Sequence, residues 1–127
     1  MTDRPVWRLD SPDPVRLSQV SDAVDAILSA SGLSERARFA ARLVTEELVL
    51  NAFEHGAASE VTLQLLGDNR LAFEDDGRPF DPSAAAPESV RPGERGRGLS
   101  LVQNFAKSLE HSRAAGRNRT VVLLPDE

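Results

Sequence analysis

The hydrophobic pattern changes period several times along the chain, and each change marks an element. Val6, Trp7 and Leu9 follow Pro5, which suits a strand start, so Pro5–Leu9 reads as a short strand. The Ser11–Pro14 cluster breaks it. Val15, Leu17, Val20, Ala23, Val24, Ile27 and Leu28 then recur at helical spacing, which predicts an amphipathic helix over Val15–Ser31, stopped by Gly32. Ser34 fits the N-cap of a second helix running from about Glu35 to His55, with Gly56 ending it. One apolar stripe on that helix holds Ala37, Ala40, Ala41, Val44, Leu48, Ala52 and His55. A second holds Phe39, Leu43 and Leu50, so the helix is expected to be buried over more than half its circumference.

Beyond Gly56 the period shortens to two. Val61, Leu63 and Leu65 alternate with Thr62 and Gln64, a half-buried strand. Gly67–Asn69 reads as a hairpin turn and Leu71–Glu74 as the return strand. From Asp81 to Gly98 the chain loses its period and reads as a loop, with one helical turn near Ser83–Ala86. A helix over Leu99–Leu109 is expected next, with Leu101, Val102, Phe105 and Leu109 inward. A hairpin of Glu110–Ala115 and Arg119–Leu124 around Gly116–Asn118 closes the chain. Strands joined by hairpins and helices in blocks predict an α+β fold. It is a two-layer sandwich of a mixed, largely antiparallel sheet with helices on one face.

Composition narrows the functional classes. The 127 residues fit one domain, taken as 1–127. With 40% hydrophobic and 28% charged residues, a packed core is expected rather than global disorder. A formal charge of −5 disfavours direct binding to nucleic acid, which needs a basic surface. The lack of cysteine excludes disulfides and thiolate metal sites. No apolar run approaches the roughly 20 residues that span a bilayer, and Met1–Leu9 has no apolar signal-peptide core, so a cytoplasmic location is expected.

Three segments could carry chemistry. Glu47 and Asn51 lie four residues apart on one helical face, beside Ala40 and Val44. Polar groups on such a stripe need partners, so they could simply cap neighbouring loops. Alternatively, Asn51 offers an amide oxygen to a hard cation and Glu47 accepts a proton. Asp75-Asp76-Gly77 follows a strand directly and reads either as an Asp-Gly turn or as a ring-binding corner. In the second reading an acid accepts a hydrogen bond from an exocyclic amine while glycine lets backbone approach a flat ring. Gly93-Glu94-Arg95-Gly96-Arg97-Gly98 runs into a predicted helix, and is either a flexible linker or an anion site at a helix N-terminus. The P-loop pattern is absent and the dinucleotide fingerprint fails after Gly98.

In order and content these segments resemble the boxes of the GHKL superfamily of ATP-binding domains, the Bergerat fold. Thr45–Gly56 resembles the N box with its Glu-x-x-x-Asn-Ala core. Glu74–Pro82 resembles the first glycine box, with Pro-Phe-Asp-Pro after it, and Arg95–Val102 the second. The likeness spans about Val15 to Leu124 and is nearest in type to the anti-sigma-factor serine/threonine-protein kinases (RsbW-like). It implies ATP and Mg²⁺ as cofactors. Asn51 would bind Mg²⁺, and Glu47 would be the catalytic base for an acceptor hydroxyl. Asp75 would take the adenine amine with Gly77 beneath the ring, and Thr120 would help at the adenine. Arg95, Gly96, Arg97, Gly98 and the N–H groups from Leu99 onward would cradle phosphate. The implied partners are a sigma factor and a small STAS-type antagonist protein, which the kinase would phosphorylate; an ATP-binding module without transfer is the alternative. Relatives of this type commonly pair, so a homodimer is also expected. Ser100 departs from the family, standing where many relatives have a further glycine, and so does the short, proline-rich stretch from Asp81 to Arg95.

Overall fold

The structure is a computed structural model that describes residues 5–80, 102 and 104–125. Its elements run β1 (Val6–Leu9), α1 (Pro14–Ala30), α2 (Glu35–Glu54), β2 (Val61–Gly67), β3 (Arg70–Asp75), β4 (Ser108–Ala114) and β5 (Arg117–Leu123). The five strands form one sheet in the order β1-β2-β3-β5-β4. Every pairing among them is antiparallel, so the sheet is more uniform than the mixed one expected. Both long helices pack on one face of it, giving the α+β architecture read from the sequence.

Each helix begins with the chemistry its sequence supplies. Asp13 Oδ1 accepts from Val15 N at 3.2 Å, with Pro14 in the first turn, where its missing N–H costs nothing. Ser34 Oγ accepts from Ala37 N at 3.1 Å, the expected cap of α2. At the end of α1, Gly32 N donates to Ser29 O and Leu33 N to Leu28 O. That is a Schellman turn, and Gly32 takes the left-handed φ of 86° it needs.

The core lies between the helices and the inner sheet face. Val44, Val49, Leu63, Leu71 and Val122 are fully enclosed there, each worth about 1.5–3 kcal/mol of burial. The outer face carries charge instead. Arg8 pairs with Glu60 at 2.7 Å, and Arg117 reaches both Glu60 at 3.1 Å and Glu74 at 3.6 Å. Arg119 closes on Glu74 at 2.6 Å. This ladder runs across the sheet and stays solvated, so each rung contributes little alone.

Two expectations near the C-terminus need correction. Val102, Asn104 and Phe105 are helical, but Ser108 already begins β4, so Leu109 is a strand residue opposite Val122 rather than the end of a helix. The closing turn is Ala115–Gly116, not Gly116–Asn118: both turn residues have positive φ, Ala114 pairs with Arg117, and Asn118 stands inside β5. The hairpin between β2 and β3 turns in the same way at Asp68 and Asn69. The loop from Asp81 to Arg95, its helical turn near Ser83–Ala86 and the glycine-rich stretch after it lie outside the described residues.

Candidate functional site

A cleft with about 130 Å³ of free space opens between the C-terminal half of α2 and one end of the sheet. Leu48, Asn51, Ala52 and His55 form the helix wall, Phe73 and Asp75 come from β3, and Asn118 and Thr120 from β5. Strand alternation explains the last two. Asn118, Thr120 and Val122 point inward, while Arg117 and Arg119 join the outer charge ladder. The β3–β5 register sets Asp75 opposite Asn118 and Phe73 opposite Thr120. An apolar floor therefore meets a polar rim at the point where β3 ends.

Asn51 is 5% exposed, and among the described residues neither its Oδ1 nor its Nδ2 has a hydrogen-bond partner. A buried carboxamide left unsatisfied costs about 1–3 kcal/mol, so this one calls for a partner beyond the described residues. Its oxygen is a hard neutral donor of the kind Mg²⁺ accepts alongside phosphate and water oxygens. Among the described residues, no cluster of three His, Cys, Asp or Glu offers an all-protein metal site. The donor set thus fits a cation brought in with phosphate rather than one caged by side chains.

The Asp-Asp-Gly segment divides its labour. Asp75 Oδ1 accepts from Gly77 N at 2.8 Å and from Asn118 Nδ2 at 3.0 Å. Gly77 lies against the end of α2, where an added Cβ would meet Gly56 O at 2.6 Å and Asp75 Oδ1 at 3.0 Å. Glycine is needed there for space. Arg78 N donates to the same Gly56 carbonyl at 2.8 Å, tying the segment to the helix end. Asp76 turns away and braces the α2–β2 loop: its carboxylate accepts from the Ser59 hydroxyl, from Ser59 N at 2.8 Å and from Glu60 N at 3.1 Å. Those bonds, the Ser59 hydroxyl foremost, push its pKa down to about 2.

Of the residues singled out from the sequence, Asn51, Asp75 and Thr120 line one cleft, and Gly77 is buried beside Asp75. Glu47 is half-buried one turn back along α2, engaged with other groups and not part of the cleft lining. His55 caps α2 and lines the cleft. Arg95, Gly96, Arg97, Gly98 and Leu99 lie outside the described residues. Sequence reasoning passed over Asn118, Arg113 and the bracing role of Asp76. For Asn118 a signal existed: it stands two residues before Thr120, hence on the same strand face.

Comparison with protein families matches residues 11–124 to the histidine kinase-like ATPase domain. The match covers nearly the whole chain, all described elements after β1 and every wall of the cleft. No curated protein matches the chain. The chain belongs to the histidine kinase-like ATPase domain family.

Proposed function

We propose that this member of the family is a serine/threonine protein kinase of the anti-sigma-factor type, using ATP with Mg²⁺ to phosphorylate a small STAS-type antagonist. The family supports ATP-binding and kinase-type chemistry. The observation that carries the reading is Asn51, a buried carboxamide unpartnered among the described residues and in the same cleft as Asp75. Asp75 would accept a hydrogen bond from the adenine amine, Thr120 would help hold the base, and Asn51 would hold Mg²⁺ through its amide oxygen. The bound Mg²⁺ supplies charge neutralisation on the phosphates. Glu47, one turn from Asn51, would take the proton of the acceptor hydroxyl as that oxygen bonds to the γ-phosphorus of ATP and the bond from that phosphorus to the β,γ-bridging oxygen breaks, ADP leaving, which suits a transfer that depends on positioning. Gly96, Gly98 and Leu99 contribute backbone N–H groups to the phosphates, with Arg95 and Arg97 offsetting charge. In this reading the same protein sequesters a sigma factor when the antagonist is phosphorylated.

A second reading, ATP binding without transfer, draws on Glu47 standing outside the cleft lining. Calorimetry and a phosphotransfer assay separate the two. Wild-type protein is expected to bind ATP·Mg²⁺, and Asn51→Ala to lose most of that binding. Glu47→Gln should keep binding while transfer to an antagonist encoded nearby falls by roughly 10²- to 10⁴-fold, the usual contribution of a general base. Undetectable binding at millimolar ATP refutes both readings. Binding with no transfer to any such antagonist leaves the second.

A further inference from the structure

Asn118 is 4% exposed, and all of its hydrogen-bonding capacity is used. Its Nδ2 donates to Asp75 Oδ1 at 3.0 Å and to Arg78 O at 2.6 Å. Its Oδ1 accepts from Arg113 Nη1 at 3.0 Å and from Phe80 N at 3.3 Å. Flipping the amide would set its donors against two donors and its acceptor against two acceptors, so the orientation is fixed by its surroundings. Arg113, across the β4–β5 pair, also donates to Gly77 O at 3.0 Å. One carboxamide and one guanidinium therefore hold the 75–80 segment against β5.

We propose that Asn118, held by Arg113, is a positioning residue that sets the base preference of the cleft. The inference rests on reading the cleft as a nucleotide site. Asp75 Oδ1 already carries two donors, Gly77 N and Asn118 Nδ2. The carboxylate is thereby pinned in one rotamer and meets the base as an acceptor. Both Asn118 N–H groups are spent, so Asn118 has no donor left for the base. A ring presenting an amine at this edge, as adenine does, is satisfied. A ring presenting a carbonyl oxygen there, as guanine does, meets acceptor against acceptor. Removing Asn118 leaves Gly77 N as the one donor of the pair on Asp75 Oδ1, so the carboxylate is presented less firmly and the discrimination falls.

The test measures dissociation constants for ATP and for GTP by calorimetry, beside a melting curve, for wild type, Asn118→Ala and Arg113→Ala. Asn118→Ala is expected to weaken ATP by roughly 10- to 100-fold, the weight of one hydrogen bond to a charged group. GTP binding should change little, so the ATP-to-GTP preference collapses. Arg113 is exposed and its removal disturbs packing less; Arg113→Ala should lower the preference by about threefold to fivefold, the weight of one ordinary hydrogen bond, and decides the matter if Asn118→Ala does not fold. A purely structural role would lower the melting temperature and weaken both nucleotides alike. Folded Asn118→Ala with an unchanged preference overturns the proposal and leaves the nucleotide site standing. If Asn118→Ala does not fold, an unchanged preference in Arg113→Ala overturns it. Wild-type protein that binds neither nucleotide overturns the site itself, and this inference with it.

Discussion

Glycines around the sheet serve opposite purposes. Gly32 takes a φ of 86° with nothing within 4 Å of an added Cβ. It is there for its backbone angle. Beside the cleft, neither Gly56 nor Gly77 has a positive φ, yet an added Cβ would lie 2.8 Å from Ala52 O and 2.6 Å from Gly56 O respectively. These two are there because the chain passes too close to itself for any side chain. The left-handed residue after α2 is instead Ala57, at a φ of 54°. Gly32 answers to local turn chemistry, Gly56 to the end of its own helix four residues back, and Gly77 to a contact between segments distant in sequence.

Substitutions can break this contrast, beginning with the largest expected effect. Gly77→Ala drives a methyl into backbone that has nowhere to go and displaces Asp75. Overpacking of about 2–3 kcal/mol corresponds to a roughly 30- to 150-fold loss of nucleotide affinity, read by calorimetry. Gly56→Ala, pressed on the Ala52 carbonyl, should lower stability by about 1–3 kcal/mol in urea unfolding. Gly32→Ala, strained but uncrowded, should cost about 1 kcal/mol and leave nucleotide affinity unchanged. Equal losses of affinity in Gly77→Ala and Gly32→Ala would erase the distinction between the crowded glycine and the turn glycine. Ala57→Gly relieves a left-handed alanine at an exposed position and should raise stability by about 0.5 kcal/mol, net of the entropy glycine adds to the unfolded chain.

The smallest effect belongs to Asp76, whose carboxylate is fully exposed. Its folded pKa is depressed to about 2 by the Ser59 hydroxyl, then by the Glu60 and Ser59 amides. A depressed carboxylate adds stability that is complete above its ordinary titration range and is lost as pH falls through that range toward about 2. Asp76→Asn should flatten this part of the acid-unfolding curve without altering stability's pH dependence above about pH 5. An acid limb identical to the wild type's would show that the brace on the α2–β2 loop does not respond to charge.

The same contrast explains what could be read from the sequence. Both long helices, the Ser34 cap and the turn at Asp68–Asn69 were legible because each depends on a few neighbouring residues. Asn51 and Asp75 were singled out through resemblance to known boxes and Thr120 through resemblance to the family's closing strand, and the three line one cleft. The helix boundary near Phe105 was not. Leu109 keeps helical spacing from Val102 and Phe105, so it was read with the helix, and the strand read at Glu110–Ala115 begins two residues earlier, at Ser108. Asn118 was hidden for a related reason. Beside Gly116 it resembles a turn residue, and its partners Asp75 and Arg78 lie about 40 positions earlier in the chain. Only the β3–β5 pairing brings them together.

That pairing has a consequence for how the molecule assembles. β2–β3 and β4–β5 are hairpins with two-residue turns, the kind of local contact that closes quickly. The seam between β3 and β5 joins residues 43 positions apart at Asp75 and Asn118, and the cleft sits on that seam. A chain with both hairpins formed but the seam open has Asp75 on one piece and Asn118 and Thr120 on the other, so it has no site. Nucleotide therefore favours only the completed sheet, and it stabilises that state by mass action, to a degree set by the ratio of free nucleotide to its dissociation constant. Ligand would act as a latch on the finished fold: slower to open when occupied, no faster to close.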